Sequence, residues 1–289
     1  MDRRFYFYAN PYQPQSVDAA RALLRGLTAR GARVFSDPWL ANLGIGEKCA
    51  PESIPEGTEA MAVFGGDGTL LRAAQYAVCR DLPMLGVHTG TVGFLMPGSP
   101  GDAERLAGLL MENSYAVMAC PLLQIRYEGG GYLALNDLAF TRGEHPGVME
   151  IRVTADGEEV FTAHGDGVVV STPLGCTGYG LSAGGPIVRH DAPCLMITPL
   201  CARELLLRPV ILPLSARIVL LAHGQARRRL QLAVDGQTLL PVTDEARVEI
   251  TLADRKAKLI QPQEHRFFDT LRRKQVDWNF IENRQEKQE

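Results

Sequence analysis

The chain has 289 residues, enough for one large or two modest domains with real cores. Apolar residues make up 46% and charged ones 22%, with a net charge of −3; this is the balance of a water-soluble globular protein, with no bias toward nucleic acid or an anionic membrane surface. No apolar run approaches membrane-spanning length, and the six cysteines form neither a C-x-x-C pair nor a zinc spacing, as expected of free thiols in a reducing cytoplasm.

The first third alternates strand and helix signals. Arg4–Ala9 is β-rich and stops at Asn10-Pro11. Residues 16–30 place Val17, Ala20, Leu23, Leu24 and Leu27 at helical spacing, with Ser16 as the expected N-cap. Arg33-Val34-Phe35, Ala60–Phe64 and Pro83–Val87 read as further strands. Such alternation predicts a parallel α/β domain over 1–118. Ligands of such sheets bind at the carboxyl ends of the strands, where Gly65–Thr69 and His88–Gly93 fall.

The turn after Ala60–Phe64 reads Gly65-Gly66-Asp67-Gly68-Thr69 and leads into a helical stretch beginning at Leu70. Glycines there leave no Cβ to keep backbone N–H groups from an anion. A lone carboxylate in a phosphate cradle repels the ligand unless it holds a metal or takes a proton, so the pattern points to phosphoryl transfer. The alternative is a tight turn in which Asp67 caps the helix. The turn lacks the Lys-Ser/Thr of the P-loop and is not G-x-G-x-x-G. Arg72, one turn into the helix, is either within reach of phosphate or solvated.

Beyond residue 118 the rhythm changes. Leu122–Tyr127, Tyr132–Phe140, Glu150–Thr154, Val160–Ala163, Val168–Thr172, Leu195–Thr198, Arg217–Ala222, Leu230–Val234 and Arg247–Leu252 are short strand candidates, with hairpin turns at Gly129–Gly131 and Asp156-Gly157. A β-sandwich-type domain over 119–262 is expected. Asn136-Asp137 is a polar pair in an apolar stretch, costly to bury without partners. Residues 165–186 are dense in glycines and hydroxyls. Small residues there admit a flat ligand, hydroxyls bond ribose or amide groups, and Tyr179 is placed to stack on a base. Cys176 reads as a small core or loop residue in preference to a nucleophile. The tail, 263–289, returns to a helical and aromatic pattern with Phe267, Phe268, Leu271, Val276 and Trp278.

Gly65–Thr69, Asn136-Asp137, Gly165-Asp166-Gly167 and the Ser-Thr-Pro-x-Gly-x-Thr-x-Tyr-x-Leu-Ser-Ala-Gly-Gly-Pro run at 171–186 resemble the NAD kinase family in content, order and spacing. The resemblance continues through Thr198–Cys201 and Arg208–Pro213 to Asp235-Gly236-Gln237. It implies transfer of the γ-phosphoryl of ATP to the 2′-hydroxyl of the adenosine ribose of NAD, giving NADP, with Mg²⁺ bridging the donor phosphates. It implies a homo-oligomer, tetramer or dimer, and a tail that packs back on the α/β domain. By the same resemblance Asp67 is the general base, and Gly65, Gly66, Gly68 and Thr69 cradle phosphate. Asn136 and Asp137 clamp ribose hydroxyls, while Asp166, Thr177, Gly178, Tyr179, Gly180, Leu181 and Ser182 contact the dinucleotide. His164 and Gln237 fall at contact positions whose residue type varies in the family. The chain departs from the usual pattern at Leu174, Cys176, Gly178, His88–Thr91 and Ala202–Glu204. Two alternatives share the first turn or the fold: a lipid kinase of the diacylglycerol or sphingosine type, and a non-catalytic nucleotide sensor.

Overall fold

The computed structural model describes residues 3–90, 93–143, 147–223, 230–242, 246–261 and 267–274. The chain forms two compact units, Met1–Ala119 with Ala257–Glu289, and Cys120–Lys256.

The first unit runs β1 (Arg4–Ala9), α1 (Gln15–Thr28), β2 (Arg33–Ser36), α2 (Pro38–Asn42), β3 (Glu47–Lys48), β4 (Ala60–Gly65), α3 (Asp67–Cys79), β5 (Pro83–His88) and α4 (Ala103–Glu112). The strands lie in the order β3-β2-β1-β4-β5, all parallel. Chain order runs outward in both directions from the β1–β4 pair. That pair is the switch point of the sheet, and the turn after β4 lies at its carboxyl edge.

A parallel sheet is covered on both faces, so its strands are apolar throughout. Phe5 and Phe7 of β1 join Ala62, Phe64, Leu85 and Val87 against Leu23 and Leu27 of α1 and Leu106 and Leu110 of α4. Each such leucine contributes about 1.5–3 kcal/mol through burial. Residues 267–274 are helical. The Phe267 ring lies 6.3 Å from that of Phe94, and Leu271 is buried. Val276 and Trp278 lie outside the described residues.

Ser16 does not cap α1. The N-cap is Pro14, and Ser16 is the second residue of the helix, fully buried, with its hydroxyl donating to the Phe64 carbonyl at 3.4 Å and bonded to Thr89 Oγ1 at 3.1 Å. Burial drew this hydroxyl to a tertiary partner. Helices α2 and α4 are additions to the sequence reading. The first has only five residues, too few to show a period, and is held by Asp37 accepting from the N–H groups of Trp39 and Leu40. The second ends at Asn113 in the left-handed region.

The second unit holds most of β6 (Ala116–Tyr127), then β7 (Gly130–Ala134), β8 (Asp137–Thr141), β9 (Met149–Ala155), β10 (Glu158–Gly165), β11 (Gly167–Ser171), α5 (Tyr179–Ser182), β12 (Cys194–Leu200), β13 (Val210–Pro213), β14 (Ile218–His223), β15 (Leu230–Val234), β16 (Thr238–Val242) and the start of β17 (Arg247–Gln261). One antiparallel sheet has the order β13-β12-β11-β8-β15-β16, and β10-β9-β14-β17 form the layer facing it. Phe140, Val168, Val170, Ile197 and Leu232 from the first meet Ile151, Val153, Ile218, Leu220 and Val248 from the second in one apolar core. This is a sandwich.

Tyr132–Phe140 is not one strand. It breaks at Leu135-Asn136, because the Asp235 carboxylate takes the N–H groups of residues 135, 136 and 137. The first hairpin turn is Glu128-Gly129, both at positive φ, and Gly130 and Gly131 already belong to β7. Asp156-Gly157, also both at positive φ, joins β9 to β10 as the sequence predicts.

Candidate active site

The turn after β4 is built around Asp67. Gly65 ends the strand at φ +154, and a Cβ there would overlap the Thr69 hydroxyl, so only glycine fits. Thr69 is buried beneath the turn. Gly66 is the N-cap of α3, and Asp67 is its first residue. The carboxylate does not cap the helix. Its Oδ2 accepts from the N–H of Phe94 at 3.0 Å and its Oδ1 from the N–H of Leu95 at 3.0 Å. Lys274 donates a third bond, Nζ to Oδ2 at 3.1 Å. Positions where a Cβ would stand on Gly66 and Gly68 have no neighbour within 4 Å, so the helix start is open on those sides. Arg72 is exposed on the same helix, close enough to Tyr8 to act on its hydroxyl.

Four residues essential to this arrangement are absent from the sequence-based site. Phe94 and Leu95 supply the amides. A Cβ on Gly93 would overlap Asp67 Oδ1, so that glycine makes room for the carboxylate. Lys274 is 207 positions away from its partner. Gly93, Phe94 and Leu95 belong to the loop after β5, which the strand pattern places at a carboxyl end of the sheet; no local signal marks Lys274.

In the second unit the fold gathers residues far apart in sequence. The 3₁₀ turn Gly175–Thr177 packs directly on the Asn136 backbone, and Gly178 follows with Asn136 Nδ2 and Asp137 Oδ2 3.7 and 3.8 Å from where its Cβ would stand. Thr177 donates to the Leu174 carbonyl at 3.0 Å. Tyr179 begins α5 and is 46% exposed, Ser182 is exposed, Leu181 is half-buried, and Gly180 is buried against Met196 and Ser171. Burial raises the Tyr179 hydroxyl pKa, with smaller contributions from Cys201, Asp166 and Asp137. Asp166, between β10 and β11, pairs with Arg142 at 2.8 Å. His164 on β10 lies between Glu204, 2.7 Å from Nδ1, and Glu150, 3.4 Å from Nε2. The backbone N–H of His164, with its ring, holds the Glu204 carboxyl below the usual carboxylate range. Gln237 is half-buried, two residues past Asp235.

Asp137 is buried, and burial with the nearby Asp235 charge pushes its carboxyl pKa up to about 7. Asn136 Oδ1 and Ser171 Oγ are buried without a hydrogen-bond partner among the described residues. Such atoms cost about 1–3 kcal/mol each unless something polar meets them. Burial lifts the Cys176 thiol to about 12, with Cys194 and Asp137 adding to it, which makes it inert as a nucleophile.

Residues 5–115 match the family described as ATP-NAD kinase N-terminal domain, and residues 135–262 match ATP-NAD kinase C-terminal domain. The chain is 32% identical to the NAD kinase of Syntrophotalea carbinolica, over 94% of this chain and 98% of that one. Its fold is similar to that of yeast NADH kinase in complex with NADH, with a TM-score of 0.83 and 23% identity over 94% of this chain and 86% of the other. An NAD kinase from Archaeoglobus fulgidus in complex with ATP aligns at a TM-score of 0.75 and 23% identity, over 94% of this chain and 99% of the other.

Proposed function

The chain belongs to the ATP-NAD kinase family, and from that premise we propose how its residues divide the work. It is a phosphotransferase that moves the γ-phosphoryl of ATP to the 2′-hydroxyl of the adenosine ribose of NAD, giving NADP. A secondary hydroxyl is a poor nucleophile, and a positioned base contributes roughly 10²–10⁴-fold. Asp67 is that base. The observation that carries the assignment is a carboxylate gripped on both oxygens at the first residue of α3, with open glycine positions beside it. The N-terminus of α3 favours phosphate, and Gly65, Gly66, Gly68 and Thr69 shape that end, with Arg72 exposed nearby.

Asn136 and Asp137 bind ribose hydroxyls, a role supported by the unpartnered Asn136 Oδ1. Gly178 and Gly180 give the backbone close approach, Thr177, Ser182 and Asp166 supply polar contacts, and Leu181 and Tyr179 supply apolar and aromatic surface. His164 and Gln237 make further contacts. Among the described residues no group of three His, Cys, Asp or Glu forms a metal cage. Mg²⁺ would be carried on the donor phosphates, where it would neutralise charge. No described helix is long and apolar enough to cross a membrane. Scattered free thiols support a cytoplasmic setting, and the family likeness supports a homo-oligomer, dimer or tetramer.

Incubation with ATP, Mg²⁺ and NAD, with NADP read by a coupled dehydrogenase, tests the activity. Asp67→Asn keeps the shape and removes the base, so kcat should fall on the order of 10²-fold or more with NAD affinity retained. A near-normal kcat would rule out Asp67 as the base.

A further inference from the structure

Lys274 is an unusual residue to find in a packed tail. The segment 267–274 is anchored by apolar groups, with Leu271 buried and the Phe267 ring against Phe94. Lys274 is only 16% exposed, yet it ends in a charge. Withdrawing an ammonium from water is costly unless a partner compensates it. The partner here is Asp67, itself 27% exposed at its side chain. The ammonium also lies 4.4 Å over the ring of Phe94, the residue whose N–H reaches the same carboxylate oxygen. Amide donors from Phe94 and Leu95 already meet each oxygen of Asp67, so satisfying a buried polar group does not require the lysine.

An ionised carboxylate offers about four lone-pair directions. On Oδ2, Phe94 N–H and Lys274 occupy both; on Oδ1, Leu95 N–H occupies one. Among the described residues no hydrogen-bond donor takes the second direction on Oδ1, beside the bare Cα of Gly93, and that direction is left for a proton. We propose that Lys274 is a positioning residue for the phosphoryl transfer: it pins Oδ2, fixes the rotation of the carboxylate, and so presents Oδ1 to the attacking hydroxyl. This rests on Asp67 being the base. The 2′-oxygen forms the new bond to the γ-phosphorus with its lone pair, and its proton passes to Asp67 Oδ1. The bond from γ-phosphorus to the β,γ-bridging oxygen breaks, and its electron pair leaves on ADP.

The test compares Lys274→Met, Lys274→Arg, Asp67→Asn and the Asp67→Asn/Lys274→Met double variant, measuring kcat, KM for NAD and for ATP, and melting temperature. Lost orientation of a catalytic group should lower kcat of Lys274→Met on the order of 10- to 100-fold, with both KM values held. Lys274→Arg keeps a cationic donor and should recover most of that loss. In the Asp67→Asn background the lysine change should do nothing further to kcat, because its effect runs through the carboxylate. A folded Lys274→Met enzyme with unaltered kcat overturns the proposal, as does a loss confined to KM for ATP, which would put the ammonium on the donor phosphates. Additive losses in the double variant, with a lowered melting temperature, overturn it in favour of helix packing. Should Lys274→Met not fold, an Arg variant that folds but stays as slow as Asp67→Asn overturns it too. If Asp67→Asn itself turns over normally, the failure belongs to the base assignment and not to Lys274.

Discussion

At the scale of single residues, two positions in the second unit carry sharp consequences. Gly178 faces Asn136 and Asp137, with both polar side chains under 4 Å from where a Cβ would stand. Gly178→Val should therefore crowd them and raise KM for NAD, while Gly178→Ala, whose nearest neighbour would be the Gly175 carbonyl at 3.3 Å, should be milder. Melting curves on both separate crowding from unfolding; a folded Val variant with unchanged KM would move the loop away from the dinucleotide. Asp137 concerns pH. Its folded-state carboxyl pKa is pushed up to about 7, from 3.8, by burial and then by Asp235. Below pH 3.8 folded and unfolded chains both carry this proton. Between there and about pH 7 only the folded state keeps it, so stability falls as pH rises through that window. Asp137→Asn cannot titrate, and denaturation midpoints measured across the window should decline less steeply than in the parent. Parallel declines would mean Asp137 stays charged throughout.

At the scale of elements, the decisive joint is the break between β7 and β8. Asp235, in the left-handed region just past β15, accepts the N–H groups of Leu135, Asn136 and Asp137 at 2.9, 2.7 and 3.1 Å, and its own N–H donates to the Asp137 carbonyl at 2.9 Å. Asp235→Ala strands three donors, each worth about 1–3 kcal/mol when left unmet. Chemical denaturation should show a loss of that order or more; an unchanged midpoint would mean the turn holds by itself. The joint explains why Tyr132–Phe140 reads as one strand in the sequence. Apolar residues flank Asn136-Asp137 on both sides, and the group that interrupts pairing lies about a hundred residues on. The βα turn was legible for the opposite reason. Glycines at 65, 66 and 68 and the apolar run before them are local, and the local conformation follows from them.

At the scale of the whole molecule, ligand binding and folding are linked. NAD that binds only the folded chain should raise the melting temperature, by about 2.7 kcal/mol of stability at a hundred times its dissociation constant. No shift at millimolar NAD or NADP would count against the dinucleotide reading. The alternation of strands and helices up to residue 118, and the even spacing of short strands after it, determined the α/β and all-β classes, because periodicity of 3.6 or 2 is written into neighbouring residues. Motif order likewise determined the family. Tertiary structure alone decided what surrounds the carboxylate at Asp67. Gly93, Phe94 and Leu95 come from the loop after β5, and Lys274 from a helix near the other end of the chain. It decided as well that Ser16 turns inward and that Asp137 stands beside Asp235. Those outcomes depend on burial and on charges meeting across long loops, energies that no window of sequence contains.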